Sequence, residues 1–245
     1  MAGNSSDTGI GIQNLVKGYV LGEERIRILN GLNLEVPAGK ITVVLGRSGC
    51  GKTTLLRLVG GLEQADSGEV NMQGIKPAIV FQEPRLMPWL TVYENTVFGL
   101  DRKEVSDQRQ NVEKILSIVG LEKFVNSYPS QLSGGMQARC ALARALAVKP
   151  SFLLMDEPFA ALDYFTRESM QKELMRVQKT LGTGILFVTH SIEEALLLAD
   201  RIAVIGDGVV KGTMDLFSEK TGRELTEESM LHCRNTVLGL LAVQK

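Results

Sequence analysis

The chain has 245 residues and only three cysteines, Cys50, Cys140 and Cys233, too few and too scattered for a disulfide framework or a cysteine metal site. A stapled fold is thereby excluded, and a reducing compartment is the simpler setting. An excess of charge of either sign is also missing: 27 Lys and Arg balance 28 Asp and Glu, for a net charge of −1. Duplex nucleic-acid binders carry a basic surplus to neutralise phosphates, so no nucleic-acid partner is expected, although a local basic site stays possible. Long apolar runs are absent as well. The most apolar stretch, ALLLADRIAVI at 195–205, is interrupted by charge and falls short of the roughly 18 residues of a membrane span. The first ten residues, MAGNSSDTGI, contain no apolar h-region, so no signal peptide is expected. These absences predict a soluble, cytoplasmic chain whose membrane role, if any, comes through a partner. With 44% hydrophobic residues and no linker or repeat, the length suits one large core.

What is present is a recurring pattern. ITVVLG (41–46), AIVFQ (78–82), FLLMDE (152–157) and ILFVTH (185–190) are short apolar runs, each ending in a glycine or a polar residue, and RIAVIGDG (201–208) is a fifth candidate. Apolar residues on consecutive positions fit strands buried on both faces, as in a parallel sheet. Helical spacing separates them over 53–59, 106–119, 137–148 and 165–181, and a last helix opens at Ser191 with Glu194 as a capping box. The first forty residues read as shorter strands forming a small antiparallel sheet, with Leu32, Leu34 and Val36 alternating. Residues 84–150 hold no convincing strand and read as a helical insertion into one α/β domain spanning 1–245. Open α/β sheets bind ligands beyond the carboxyl ends of their strands. On that rule Gly46, Gln82, Asp156, Glu157 and His190 are expected to face one crevice.

Residues 46–53 read GRSGCGKT, matching G-x-x-x-x-G-K-[ST] between a strand and a helix. Gly46, Gly49 and Gly51 allow a tight turn that aims successive N–H groups at one point, and the following helix adds its positive end. The loop residues Arg47, Ser48 and Cys50, with Thr54 in the first helical turn, complete the expected phosphate cradle. Lys52 is placed to reach the β- and γ-phosphates of ATP and Thr53 to put its hydroxyl on Mg²⁺.

The acids after the 152–155 run supply the second half of the chemistry. Asp156 suits Mg²⁺, through water, because that ion dehydrates reluctantly. Glu157 suits a residue that orients and polarises the attacking water. His190 is either a contact to the γ-phosphate or its water, or a satisfied strand-end residue. Gln82 is either a Mg²⁺ ligand that senses the γ-phosphate or an ordinary loop glutamine. In QLSGGMQARCALARALA (131–147), Ser133, Gly134 and Gly135 precede a strong helix. Read alone, they are equally a serine-capped helix start and a second anion seat.

Taken together, these residues resemble the ATP-binding cassette (ABC) ATPases over roughly residues 10–215. GRSGCGKT resembles Walker A, Gln82 the Q-loop residue, LSGGM (132–136) the family signature, FLLMDEP (152–158) Walker B, ALD (161–163) the D-loop and His190 the switch histidine. Tyr19 is similar to the aromatic that stacks on adenine, although it lies far from Lys52 in sequence. The resemblance implies a P-loop α/β fold with an antiparallel β subdomain and a helical subdomain. It also implies a head-to-tail homodimer with each ATP between Walker A of one copy and Ser133–Gly135 of the other. VFQEPRLMPWLTVYENTVFGL (80–100) is similar to the nitrate/sulfonate/taurine importer subfamily. That similarity implies integral-membrane permease subunits, an extracytoplasmic solute-binding protein and a place on the cytoplasmic face of the membrane, with Pro84, Pro88, Trp89 and Tyr93 as the docking lip or as lid packing. Arg47 stands where the family often has proline, Ala138 where it has glutamine, Cys140 where an apolar residue is common, and Ala160 where it has serine. The alternative inside the family is a soluble ABC-type ATPase with a non-transport role. A P-loop GTPase would need an N-K-x-D motif, which the sequence lacks.

Overall fold

Ile41 and Asp200 close on each other twice across 159 residues of sequence. The Ile41 N–H donates to the Asp200 carboxylate and the Asp200 N–H donates to the Ile41 carbonyl, each at 2.7 Å. This reciprocal pair fixes the start of the central strand against its neighbour. It belongs to a computed structural model that describes residues 9–101, 105, 108–216 and 227–242.

In chain order the elements are β1 (Ile10–Leu21), β2 (Glu24–Val36), β3 (Ile41–Leu45), α1 (Lys52–Val59), β4 (Ser67–Asn71), β5 (Pro77–Val80), α2 (Val92–Val97) and α3 (Arg109–Ile118). A 3₁₀ turn (Pro129–Gln131) precedes α4 (Gly134–Ala147), β6 (Phe152–Asp156), α5 (Tyr164–Leu181), β7 (Gly184–Thr189), α6 (Ile192–Leu198), β8 (Arg201–Gly206), β9 (Val209–Asp215) and α7 (Glu227–Ala242). They fall into two compact units, one of residues 1–75 with 184–245 and one of residues 76–183.

The first unit carries the strand order β7-β3-β8-β9. β3 runs parallel to β7 and to β8, and β9 returns antiparallel along β8. Every residue of β3 and of β7 is buried, which is why both read as unbroken apolar runs. Each such aliphatic side chain contributes about 1.5–3 kcal/mol by leaving water. A three-stranded antiparallel sheet, β2-β1-β4, completes the unit. Its strands are longer than the sequence suggests, 12 residues in β1 and 13 in β2. The register shifts between Ile12 and Leu15 and between Lys17 and Gly18 break the apolar alternation, which hides the strands' continuity.

The second unit pairs β5 with β6 in parallel and packs α2, α3, α4 and α5 around them, with α4 against β5, α2, α3 and α5. Between residues 84 and 150 its described elements are helical. Helix α4 begins at Gly134, three residues before the expected start, because Ser133 caps it by accepting from the Met136 N–H at 3.3 Å. Ser106, the expected start of the preceding helix, lies outside the described residues. The Ser191 cap forms, with its hydroxyl accepting from the Glu194 N–H at 3.2 Å. The return half runs through a relay: the Ser191 N–H donates to the Thr189 hydroxyl, which donates to the Glu194 carboxylate.

Candidate functional site

The register of β3 on β7 pairs Leu45 with Thr189, so the chain leaves both strands side by side, into Gly46 on one and His190 on the other. His190 is exposed, whereas the Gly46 backbone is buried against β8. A Cβ on Gly46 would stand 2.5 Å from the Ile205 carbonyl and 2.6 Å from the Cys50 sulfur, so no larger residue fits without moving the loop. Gly51 holds φ at +103°, a value that L side chains rarely adopt, and its carbonyl accepts from the Leu55 N–H to start α1. Arg47, Ser48 and Gly49 are exposed at the rim, while Thr53 and Thr54 are half-buried in the first turn of α1.

Lys52 is 5% exposed, and its Nζ donates to the Gly46 and Arg47 carbonyls at 2.9 Å each. The ammonium thus bridges two adjacent carbonyls at the start of the loop. Cys50 is half-buried behind it, and that burial pushes its thiol up, opposed in part by the nearby Lys52 charge.

Tyr19 comes beside the first turn of α1 despite its distance in sequence. Its hydroxyl donates to Glu63 and lies in hydrogen-bonding reach of the Thr54 side chain, on the helix that Lys52 begins. Lys17 Nζ stands 5.3 Å from the ring centroid. Burial and the Glu63 carboxylate raise the Tyr19 pKa, and the same hydrogen bond holds Glu63 below the usual carboxylate range, with Arg57 at 3.2 Å assisting. Glu63 belongs to no motif. The acid 44 residues from Tyr19 is visible only once β1 and α1 are in place.

In the second unit the β5–β6 register pairs Val80 with Met155. The chain therefore exits toward Gln82 on one strand and toward Asp156 and Glu157 on the other, again from neighbouring carboxyl ends. β5 ends at Val80, so Gln82 is an exposed loop residue and not a strand end. Glu157 has φ +43°, a left-handed conformation that costs a non-glycine residue about 1–2 kcal/mol. The turn is held because the Glu157 carbonyl accepts from the Ala160 N–H at 3.1 Å and Pro158 and Phe159 are buried.

The turn that follows is pinned by Arg167, which no motif singled out. Its guanidinium donates to the Leu162 carbonyl at 2.8 Å and to the Phe159 carbonyl at 3.3 Å. Asp163 caps α5, and its hydrogen bonds from Thr166 hold its carboxyl below the usual range. Ser133 and Gly134 are exposed at the N-terminus of α4, and Gly135 is buried with the Thr166 side chain closed over it. A helix start can seat an anion on its first N–H groups, and the helices beginning at Lys52 and Gly134 offer one such start in each unit.

Among the described residues, no group of three or more His, Cys, Asp or Glu gathers as a metal cage. The candidate Mg²⁺ donors are the Thr53 hydroxyl in the first unit and the Gln82 amide oxygen and Asp156 carboxylate in the second, and all are oxygens, the donor type Mg²⁺ takes.

The sequence profile of the family described as "ABC transporter" matches residues 29–160. A sequence from Methanocaldococcus jannaschii named as an uncharacterized ABC transporter ATP-binding protein is 41% identical, over 94% of this chain and 90% of its own length. The aliphatic sulfonates import ATP-binding protein SsuB 2 of Pseudomonas syringae pv. syringae is 40% identical over 95% of this chain and 82% of its own. The sulfate/thiosulfate import ATP-binding protein CysA of Burkholderia mallei is 45% identical over 83% of this chain and 61% of its own. A dimeric ATP-binding cassette solved in a post-hydrolysis state with ADP and Pi superimposes with TM-score 0.74 at 34% identity, covering 84% of this chain and 98% of that one. CbiO1 from Clostridium perfringens, solved as part of the ABC transporter complex cbiONQ, gives 0.78 at 27% identity over 96% and 97%. The P-loop, the strand-end acids and the serine-capped helix therefore stand in the α/β frame of a known family, and this chain belongs to the ABC transporter ATP-binding proteins, the ATPases of that family.

Proposed function

We propose that the chain is the ATP-hydrolysing subunit of a membrane importer and works as a head-to-tail homodimer. The observation that carries this reading is identity of 40–45% to import ATP-binding proteins over 83–95% of the chain. Residues 1–245 act as one ATP-binding domain, with 84–150 as its helical arm. Each ATP is held from two sides, with Tyr19 on the adenine. On one side lie Gly46, Arg47, Ser48, Gly49, Cys50, Gly51, Lys52, Thr53 and Thr54, and on the other lie Ser133, Gly134 and Gly135 of a second copy.

Lys52 turns from the Gly46 and Arg47 carbonyls to the β- and γ-phosphates, where the loop N–H groups spread the negative charge. Thr53, Gln82 and Asp156 would hold Mg²⁺, which would supply positive charge against the phosphate charge that builds up in the transition state. Glu157 accepts a hydrogen bond from the attacking water and takes its proton as oxygen bonds to the γ-phosphorus and the β–γ bridging bond breaks. His190 and Gln82 contact the γ-phosphate side. Loss of that phosphate removes contacts that both copies share, so closure lasts only as long as ATP favours the closed state.

No helix among the described residues is long and apolar enough to cross a membrane. On the importer reading, the chain acts from the cytoplasmic face through separate permease subunits, and an extracytoplasmic solute-binding protein delivers the solute. The named relatives favour a sulfonate- or sulfate-like oxyanion, with nitrate and taurine in the same class.

Affinity isolation from membranes tests this. It should bring down an integral-membrane partner, and the same membranes should take up such an oxyanion with ATP. Mixing Ser133→Ala with Lys52→Ala chains should restore turnover at one composite site per dimer. A mixture as inactive as either variant alone would contradict the shared site.

A further inference from the structure

Arg85, three residues beyond Gln82, is held in a conformation it would not choose. Its φ is +46°, and its guanidinium stacks 4.4 Å from the centroid of the Phe81 ring. What keeps it there is Arg144, a half-buried residue on α4. One amino group of its fork donates to the Arg85 carbonyl at 2.8 Å and the other to the Pro84 carbonyl at 2.8 Å. A planar fork suits two adjacent carbonyls in a way a lysine does not.

The far end of the same segment is gripped as firmly. Asn95, fully buried in α2, accepts from the Met87 N–H at 2.8 Å and donates to the carbonyls of Met87, Leu90 and Thr91 at 3.1, 2.9 and 3.0 Å. Five backbone carbonyls between residues 84 and 91 are therefore taken by two side chains. Trp89, 69% exposed, stands at the crest of a loop whose shape is set before anything binds it. Only one of the two grips comes from the helix that Ser133 leads. Arg144 lies three turns beyond Ser133, roughly 16 Å along the axis.

We propose that Arg144 is a positioning residue that ties the 84–91 segment to the Ser133 helix, so that movement of this helix on ATP carries the Trp89 crest with it. The inference rests on the importer reading for what the crest touches, but the tie itself is internal to this chain. Without Arg144 the strained Arg85 carbonyl is released and the segment loses its register on α4. The Ser133 cap, the P-loop and Glu157 keep their own contacts.

Trypsin reads this directly, because the bond after Arg85 is one of its sites. In the full-length chain Arg144→Gln should be cut between Arg85 and Leu86 about tenfold faster than the parent, with protection elsewhere unchanged, and Arg144→Lys should fall between. In the complex isolated from membranes, Arg144→Gln should leave the KM for ATP unchanged and lower the permease-dependent kcat by about the same factor, with partial rescue by lysine. If Arg144→Gln lowers protection along the whole chain, the lysine variant decides by the same cut. Parental cutting at Arg85 in the lysine variant, or in a folded glutamine variant, overturns the tie. A parent with no membrane partner and no stimulated turnover sinks the importer reading instead, while the trypsin comparison still decides the role of Arg144.

Discussion

The methyl carbon of Thr166 fills the space that a Cβ on Gly135 would need. Thr166 is β-branched, so its χ1 is stiff, and it is tied to Asp163 at the start of α5. Gly135→Ala should therefore force the Ser133 helix and α5 apart, lowering stability by about 1–3 kcal/mol and ATP turnover with it. Thr166→Ser removes the offending methyl and keeps the hydroxyl. Thermal melts and turnover of the double variant should return toward the parent, and a double variant as impaired as Gly135→Ala would show that the clash is not the cause.

Glu157 combines a strained backbone with the proposed role of base, and two substitutions separate them. Glu157→Gln keeps size and backbone but accepts no proton, so ATP should still bind while turnover falls about 10²–10⁴-fold. Turnover at the parental rate would remove Glu157 from the role of base. Glu157→Gly relieves the +43° φ and should lose turnover while gaining up to about 1 kcal/mol of stability. A clear loss of stability in that variant would show that the side chain, and not function, retains the conformation.

The buried strands were legible in the sequence because both faces of each are covered, which leaves unbroken apolar runs such as 41–45 and 184–189. The glycine turn into α1 and the serine-capped start of α4 were legible because a tight backbone turn and a helix cap each fix residue type and spacing together. Edge elements were not: β4 (SGEVN) is largely exposed, β9 (VVKGTMD) has no buried residue, and both carry little apolar signal. Helix α2 was also missed, although its Thr91–Glu94 capping box is a readable signal. Glu63 on Tyr19, Arg167 on the turn after Glu157 and Arg144 on Pro84 and Arg85 stayed hidden for another reason. Glu63 and Arg144 reach groups 44 to 60 residues away, and both arginines take backbone carbonyls, which carry no side-chain signature.

The Tyr19–Glu63 bond gives the stability curve two arms. Glu63 titrates below its ordinary 4.5 because the Tyr19 hydroxyl donates to it. The unfolded chain takes up that proton more readily, so the contribution is complete above about pH 4.5 and is lost as pH falls through the depressed folded value. Tyr19 titrates above its ordinary 10.0, through burial first and the Glu63 contact second. Its contribution is complete below pH 10 and is lost as pH rises through the raised value. Tyr19→Phe should flatten both arms and return the Glu63 pKa, followed by carboxyl NMR, toward 4.5, with little change in ATP affinity. Tyr19→Ala should weaken ATP binding by about 1–3 kcal/mol through loss of the stacked ring. An unmoved Glu63 pKa in the phenylalanine variant would break the link.

Cys50 reports on the loop through its own thiol. Of the three thiols it is the half-buried one, while Cys140 and Cys233 are buried and Cys140 is pushed up to about 11. Alkylation of the folded chain should fall on Cys50. Because burial raises its pKa above the ordinary 9.0, the reaction should be slow at pH 7 and accelerate as pH rises past 9. Saturating ATP with Mg²⁺ should slow it further by covering the loop, and Lys52→Ala should lose that protection while its Cys50 still reacts. Mass mapping of the labelled peptide follows both effects. A Cys50 rate indifferent to ATP in the parent chain would count against a nucleotide seated over this loop.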